Sequence, residues 1–321
     1  MRRTVRLGYC LGLALAVLGC GPMGPAAGDA GGGGGGSWLV GLGGLVYNAP
    51  DGNHFVAKQA PVSGDLYSLY CVNGVRGWSV GASGQLIATT DGGATWGTRA
   101  TGVTTALRAV AFADYSTGIA AGDSGTLIHS TDGGDSWARV VVPVQSSLRA
   151  VAIGKTGTAW VVGDAGVILR STDGGATFSR IGAVPVVDYT AVRFADDGVH
   201  GFVAAADGSL LRTGDGGVTW APVGKASAPL HGVSVSHDGA RVVAVGDKGV
   251  TLRSIDGGAH VAEVASGQSF ALAAVGFMDD QPSVGWAVGA HGAILRTADN
   301  GATWTSLPSP TVTDLTSVED F

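Results

Sequence analysis

Arginine recurs at fixed places in this chain, and a guanidinium fork is the side chain best matched to a carboxylate. One series, Arg170, Arg212, Arg253 and Arg296, stands three residues before four copies of an aspartate-glycine motif, where three further copies carry Asn48, Ala88 and His129. A second set, Arg108 and Arg149 with His231 as their equivalent, occupies the third place of short apolar runs such as SLRAVAI (147–153). Fifteen arginines against four lysines point to fork-like pairing with acidic groups. Two uses follow. In the first, each arginine of the Arg170 series bonds the aspartate after an upstream glycine, such as Asp123, Asp164 or Asp247, as an internal ladder. That is the expectation for this series, because a repeated position usually serves the repeat. In the second, some of these arginines, Arg108 and Arg149 foremost, dock an acidic segment of a partner protein.

Other chemistry is thinly represented. The only glutamates are Glu263 and Glu319, and the chain has no Walker loop, HExxH, GxSxG or CxxC motif. Asp-rich turns lack the ligand spacing of a calcium loop, so neither a metal nor a cofactor is expected. Cys71 falls in a short apolar run (66–72) and reads as a small buried residue without a group to lower its pKa. The formal charge is −6, which argues against nucleic acid as a partner.

The elements that position these residues come from a repeat. Asp51, Asp91, Asp132, Asp173, Asp215, Asp256 and Asp299 head seven aspartate-glycine boxes, of which STDGGDSW (130–137) is a clear copy. Successive markers are 40, 41, 41, 42, 41 and 43 residues apart. About 40–45 residues with only strand and turn signals is the period of a propeller blade. The box itself is a structural turn, since Asp accepts local backbone N–H bonds and Gly takes positive φ. A Ser or Thr two residues earlier is placed to hold the carboxylate. Large apolar residues recur at Trp38, Trp78, Ile119, Trp160, Phe202, Val243 and Trp286, and again after the box at Trp96, Trp137, Phe178, Trp220 and Trp304. Rings at equivalent positions fill the wedge between blades, which is preferred to sugar stacking.

The expected fold is therefore all-β: a seven-bladed β-propeller of four-stranded antiparallel blades, with almost no helix. The blade around Asp132 predicts strands at 107–112, 119–122, 126–130 and 136–140. Blade one has only two runs before its box, 37–41 and 44–48. The C-terminal stretch DLTSVEDF (314–321) resembles the missing innermost strand, so it is expected to close blade one and remove the open sheet edges.

Residues 1–19 read as an export signal, with Arg2, Arg3 and Arg6 before an apolar stretch (7–18) too short to span a bilayer. It ends in VLGC (17–20), which resembles the lipobox of bacterial lipoproteins, making Cys20 the lipidated first residue. A glycine-rich tether (20–36) follows, and 37–321 forms the propeller. The expected location is the bacterial cell envelope, lipid-anchored on the extracytoplasmic side. Loss of 1–19 leaves 16 basic and 25 acidic residues, a charge of −9.

The box S/T-x-D-G-G-x-T-W resembles the Asp-box, or bacterial neuraminidase, repeat. The longer unit GWAVGAHGAILRTADNGATW (285–304) is similar to the photosystem II stability and assembly factor family. That resemblance implies a seven-bladed propeller and a non-enzymatic assembly or binding scaffold whose basic patch docks a protein, possessed of no cofactor. The alternatives are a sialidase-like glycoside hydrolase and an extracellular polysaccharide binder. A sialidase needs a Tyr nucleophile activated by Glu, together with an acidic proton donor. Here Glu263 lies on an outer strand, Glu319 is at the chain end, Tyr189 opens an inner strand, and the Arg-Ile-Pro signature is absent. The scaffold is the preferred reading.

Overall fold

The computed structural model describes residues 37–49, 53–72, 74–154, 156–278 and 281–320. Residues 1–36, where the export signal, Cys20 and the tether are expected, and Asp51 lie outside them. Seven four-stranded antiparallel sheets follow one another around a ring. Six are sequential, as in blade three: Leu107–Phe112, Gly118–Gly122, Leu127–Ser130 and Ala138–Arg139. Blade one is composite. Its inner strand Leu315–Asp320 pairs with Ser37–Gly41, which is followed by Leu45–Ala49 and Val56–Lys58. The helical content among the described residues is five three-residue 3-10 turns.

The outer strands depart from expectation. A five-residue strand over 136–140 contracts to Ala138–Arg139, and blades two, four and seven also have two-residue outer strands. The box tightens the turn over Ser136 and Trp137, and the outer edge has no sheet beyond it to pair with. A very short edge strand also offers little template for another chain.

Glycine closes the second hairpin of most blades. A Cβ on Gly122, Gly163 or Gly246 would lie 2.1, 2.2 or 1.9 Å from a carbonyl oxygen at the start of its own inner strand, so a side chain there would force the backbone to shift.

Neighbouring blades are joined by aromatic stacks. Trp160 of blade four lies flat on Phe194 of blade five at 3.6 Å, and Trp220 meets the same ring edge-on at 5.8 Å. Trp78, Phe112 and Trp137 repeat this between blades two and three. The indoles also bond forward: Trp78 Nε1 donates to the Gly133 carbonyl and Trp160 Nε1 to that of Gly216, each in the box of the next blade. In blade two Cys71, 2% exposed, stands where blades three, five and seven have Phe, and Trp38 packs directly against Trp96.

Candidate functional site

Antiparallel strands send alternate turns to opposite faces of the ring. One face, the box face, carries the Asp boxes and the turns between first and second strands. The other, the crossover face, carries the 3-10 turns and the crossovers between blades.

Arg108, Arg149 and His231 all fall on the crossover face. Each is the bulged residue of its inner strand, because the register skips one position between Leu107 and Ala109, Leu148 and Ala150, and Leu230 and Gly232. A bulge re-aims its side chain, and here it sends the side chain to the aspartate after the second strand. Arg108 donates from Nε and Nη2 to both oxygens of Asp123 at 3.0 and 2.7 Å. Arg149 does the same to Asp164, at 2.8 Å for each bond. His231 Nε2 lies 2.8 Å from Asp247 Oδ1. The Arg108 and Arg149 side chains remain 16% and 19% exposed, so the arc meets solvent.

Electrostatics couples the two arginine pairs, while the His231 pair stands by itself. Burial pushes the Asp123 carboxyl up, but the hydrogen bond and charge of Arg108, then the charge of Arg149, hold it below the usual carboxylate range. The hydrogen bond from Arg149 to Asp164 raises the arginine's own pKa, with Asp123 and Asp188 adding charge from either side. The hydrogen bond to His231 likewise lowers Asp247. Tyr67, which occupies the bulge position of blade two, stacks under Arg108 at 4.5 Å. Sequence reading did not single out Tyr67, although its alignment with Arg108 was available.

The ladder expected of the Arg170 series is made by the other set. Asp123, Asp164 and Asp247 are held by Arg108, Arg149 and His231 instead. Arg170 Nε donates to the Gly216 carbonyl and Arg253 Nε to that of Asn300, both at 2.8 Å in the box of the next blade. The third strand points these side chains toward the neighbouring box rather than toward the crossover face. Arg212 lies against Gly258 of the following box, and Arg296 faces the Trp286 ring at 6.0 Å.

The box aspartates fold back on their own turns. Asp173 Oδ1 accepts from Ser171 Oγ and Thr177 N, and Oδ2 accepts from Thr177 Oγ1. The same arrangement holds at Asp91, Asp132, Asp215 and Asp299, while His260 supplies the last two contacts to Asp256. Hydroxyl bonds from Thr95, Ser136 and Thr219 lead the causes that lower Asp91, Asp132 and Asp215 to about 2, against an ordinary value of 3.8. A depressed carboxyl stabilises the fold above its unfolded pKa and loses that contribution as pH falls through the folded value. The melting temperature is therefore expected to hold above pH 3.8 and to fall between 3.8 and about 2. Asp132→Asn should flatten that slope in a pH series of thermal melts.

The residues a sialidase reading would require are committed elsewhere. The Tyr189 hydroxyl donates to the Pro185 carbonyl at 2.8 Å, and burial pushes its pKa up to about 12, away from nucleophile chemistry. Glu263 accepts from the backbone N–H and hydroxyl of Ser227 on the outer side of its blade. Glu319 is fully buried in the closing strand. Among the described residues no acidic, histidine and cysteine cluster is arranged to hold a metal ion, and no helix is long and apolar enough to cross a membrane.

A closed ring of seven four-stranded blades, six of them with a described Asp box, is an Asp-box β-propeller. Residues 47–145, 101–185 and 183–305 match the family described as photosynthesis system II assembly factor YCF48, and the chain belongs to that family. Among solved structures it is similar to YCF48 bound to D1 peptide, at 22% identity and a TM-score of 0.63, over 77% of this chain and 83% of that one. YCF48 from Cyanidioschyzon merolae aligns at 21% identity and a TM-score of 0.63, over 79% and 88%. The GH74 xyloglucanase from Xanthomonas campestris also shares the fold, at 17% identity and a TM-score of 0.59, over 73% of this chain and 43% of the enzyme. No curated protein matches the chain.

Proposed function

We propose that this protein is a non-enzymatic binding scaffold for assembly of a membrane complex, and that the arc of Arg108, Arg149 and His231 docks an acidic segment of a partner protein. The observation that carries the reading is the pair of bidentate, solvent-reachable arginines in adjacent blades. Membership of an assembly-factor family supports a protein-binding role, as does the peptide bound by the similar YCF48 structure. Docking proceeds by exchange: partner carboxylates share or replace Asp123 and Asp164 on the two forks. Charged hydrogen bonds are traded like for like and the guanidiniums stay paired.

A labelled D1 peptide and an acidic peptide of scrambled order are the probes, with fluorescence anisotropy as the readout. Arg108→Gln with Arg149→Gln should weaken binding by at least about tenfold, or about 1.4 kcal/mol. Asp123→Asn with Asp164→Asn should tighten it, because the internal competitors are gone. Affinity should also fall steeply with salt. Lower melting temperatures in the arginine variant with binding unchanged would assign the arc to the scaffold alone.

We further propose that the mature chain begins at a lipidated Cys20 and is held on the extracytoplasmic side of a bacterial envelope membrane. The motif VLGC (17–20) and the glycine run after it support this reading. Two acyl signals give stable attachment where a single chain does not. Cys20→Ala is expected to accumulate as unprocessed precursor or to leave the membrane fraction. Normal maturation and membrane fractionation of that variant would rule the anchor out.

A further inference from the structure

The box-face mouth of the central channel is a cavity of about 360 Å³, on the opposite side from the ionic arc. Its shape follows from one position of the inner strand, the fifth residue of each. Around the ring that position reads Tyr70, Ala111, Ala152, Arg193, Ser234, Gly276 and Glu319. Of these, Tyr70, Ala152, Arg193 and Ser234 line the cavity, and the small Ala152 and Ser234 open the space. Two residues deeper the strands are tied together: the Val110 N–H reaches Ser68 Oγ and the Leu69 N–H reaches Ser317 Oγ, both at 3.4 Å. These bonds tie blades one, two and three together beneath the cavity.

Tyr70, Arg193 and Glu319 depart from the small residues at this position, and the hairpin of blade five does not require the arginine. Arg193 pairs with Phe202 across its hairpin in the register by which Ala152 pairs with Trp160 and Ser234 with Val243. The side chain lines the cavity while only 5% exposed. Arg241, 7% exposed, lines the same wall and lies over the Phe277 ring at 4.1 Å. Both guanidiniums are also engaged within the protein, Arg241 with Asn300 Oδ1 at 3.5 Å, so they are fixed before a ligand arrives. Tyr70, Phe112, Phe194 and Phe277 supply the apolar wall. Asp196, His237 and Asp238 also line it, the two aspartates exposed where the arginines are buried. A volume in the lower part of the range of about 300–1,000 Å³ and a largely apolar wall with placed polar groups are the features of a small-molecule site.

We propose that this pocket binds a small organic carboxylate, with its anionic head on Arg193 and Arg241 and a flat or aliphatic body against the phenyl rings. A planar fork suits a carboxylate better than any neutral isostere of the same shape. The site is separate from the crossover-face arc, so its failure would leave the docking proposal standing.

The probes are 3-phenylpropionate and its primary amide, titrated into the whole chain by calorimetry with ligand-observed NMR. The carboxylate should bind with a Kd at or below about 1 mM and the amide at least about tenfold more weakly. Arg193→Gln and Arg241→Gln should each lose at least about tenfold, while Arg99→Gln, far out on blade two, should bind as the parent does. Ala152→Leu fills the pocket from its neutral wall and should abolish binding with both arginines present. That variant and the acid–amide comparison decide the matter even if an arginine variant does not fold. Equal binding of acid and amide, no binding of the acid up to about 10 mM, or full binding by Ala152→Leu would overturn the proposal.

Discussion

A chain lacking residues 314–321 should fail to fold as a ring, losing its cooperative thermal transition and not merely a few degrees of stability. The excised strand pairs along Ser37–Gly41 and is the innermost layer of blade one. It also joins two blades, since Thr316 Oγ1 donates to the Val40 carbonyl at 3.0 Å and to the Leu66 carbonyl of blade two at 2.7 Å. Leu315 and Val318 are fully buried. Without them blades two and seven lose one neighbour each, and in a repeat ring nearest-neighbour contacts carry most of the stability. Circular dichroism melts of the truncated and full chains make the comparison. A point test of the same joint is Thr316→Val, which should cost about 1 kcal/mol while leaving the ring closed. Melting of the truncated chain at the parent temperature would mean that blade one finds another inner strand.

The next largest effect is expected at Trp160. Replacing it with Ala should destabilise the protein by about 3–5 kcal/mol, because a fully buried indole is removed from a joint that cannot collapse. The joint has two parts, the face-to-face stack on Phe194 and the Nε1 bond to the Gly216 carbonyl. Trp160→Phe keeps a ring for the stack and removes the donor while Arg170 Nε still serves the Gly216 carbonyl, so about 0.5–1.5 kcal/mol of the loss should remain. Urea midpoints of the three proteins separate packing from hydrogen bonding. If Phe costs as much as Ala, the Gly216 bond governs the joint and the stacking account is wrong.

Blade number, strand order and ring closure were legible in the chain because the repeat writes the same instruction seven times. The aspartate marker set the count, and the resemblance of 314–321 to inner strands set the closure. The arginine assignment was less legible, for a definable reason. Both arginine sets and the partner aspartates could be found by alignment, but which side chain meets Asp123 depends on a one-residue bulge at Arg108 that leaves no mark of composition. The bulge turns Arg108 to the crossover face, whereas Arg170 on a regular strand reaches sideways to Gly216. The box-face pocket was hidden similarly. Tyr70, Ala111, Ala152 and Arg193 align in the sequence, yet their common orientation is fixed only once strand register is known. The short outer strands were misjudged because the box consumes Ser136 and Trp137 in its own turn.

The splice between Leu315–Asp320 and Ser37–Gly41 also sets the order of events at birth. Thr316 and Val40 are 276 residues apart, so the joint cannot form until almost the whole chain is available. A nascent chain can build blades two to seven in turn, but its first strands must wait beside an unfilled place. Such high contact order makes closure a late and slow step. The same latch, once engaged, holds both terminal segments of the ring in a single sheet. A protease attacking either terminal segment must therefore first release that sheet, and resistance to degradation should report ring closure directly.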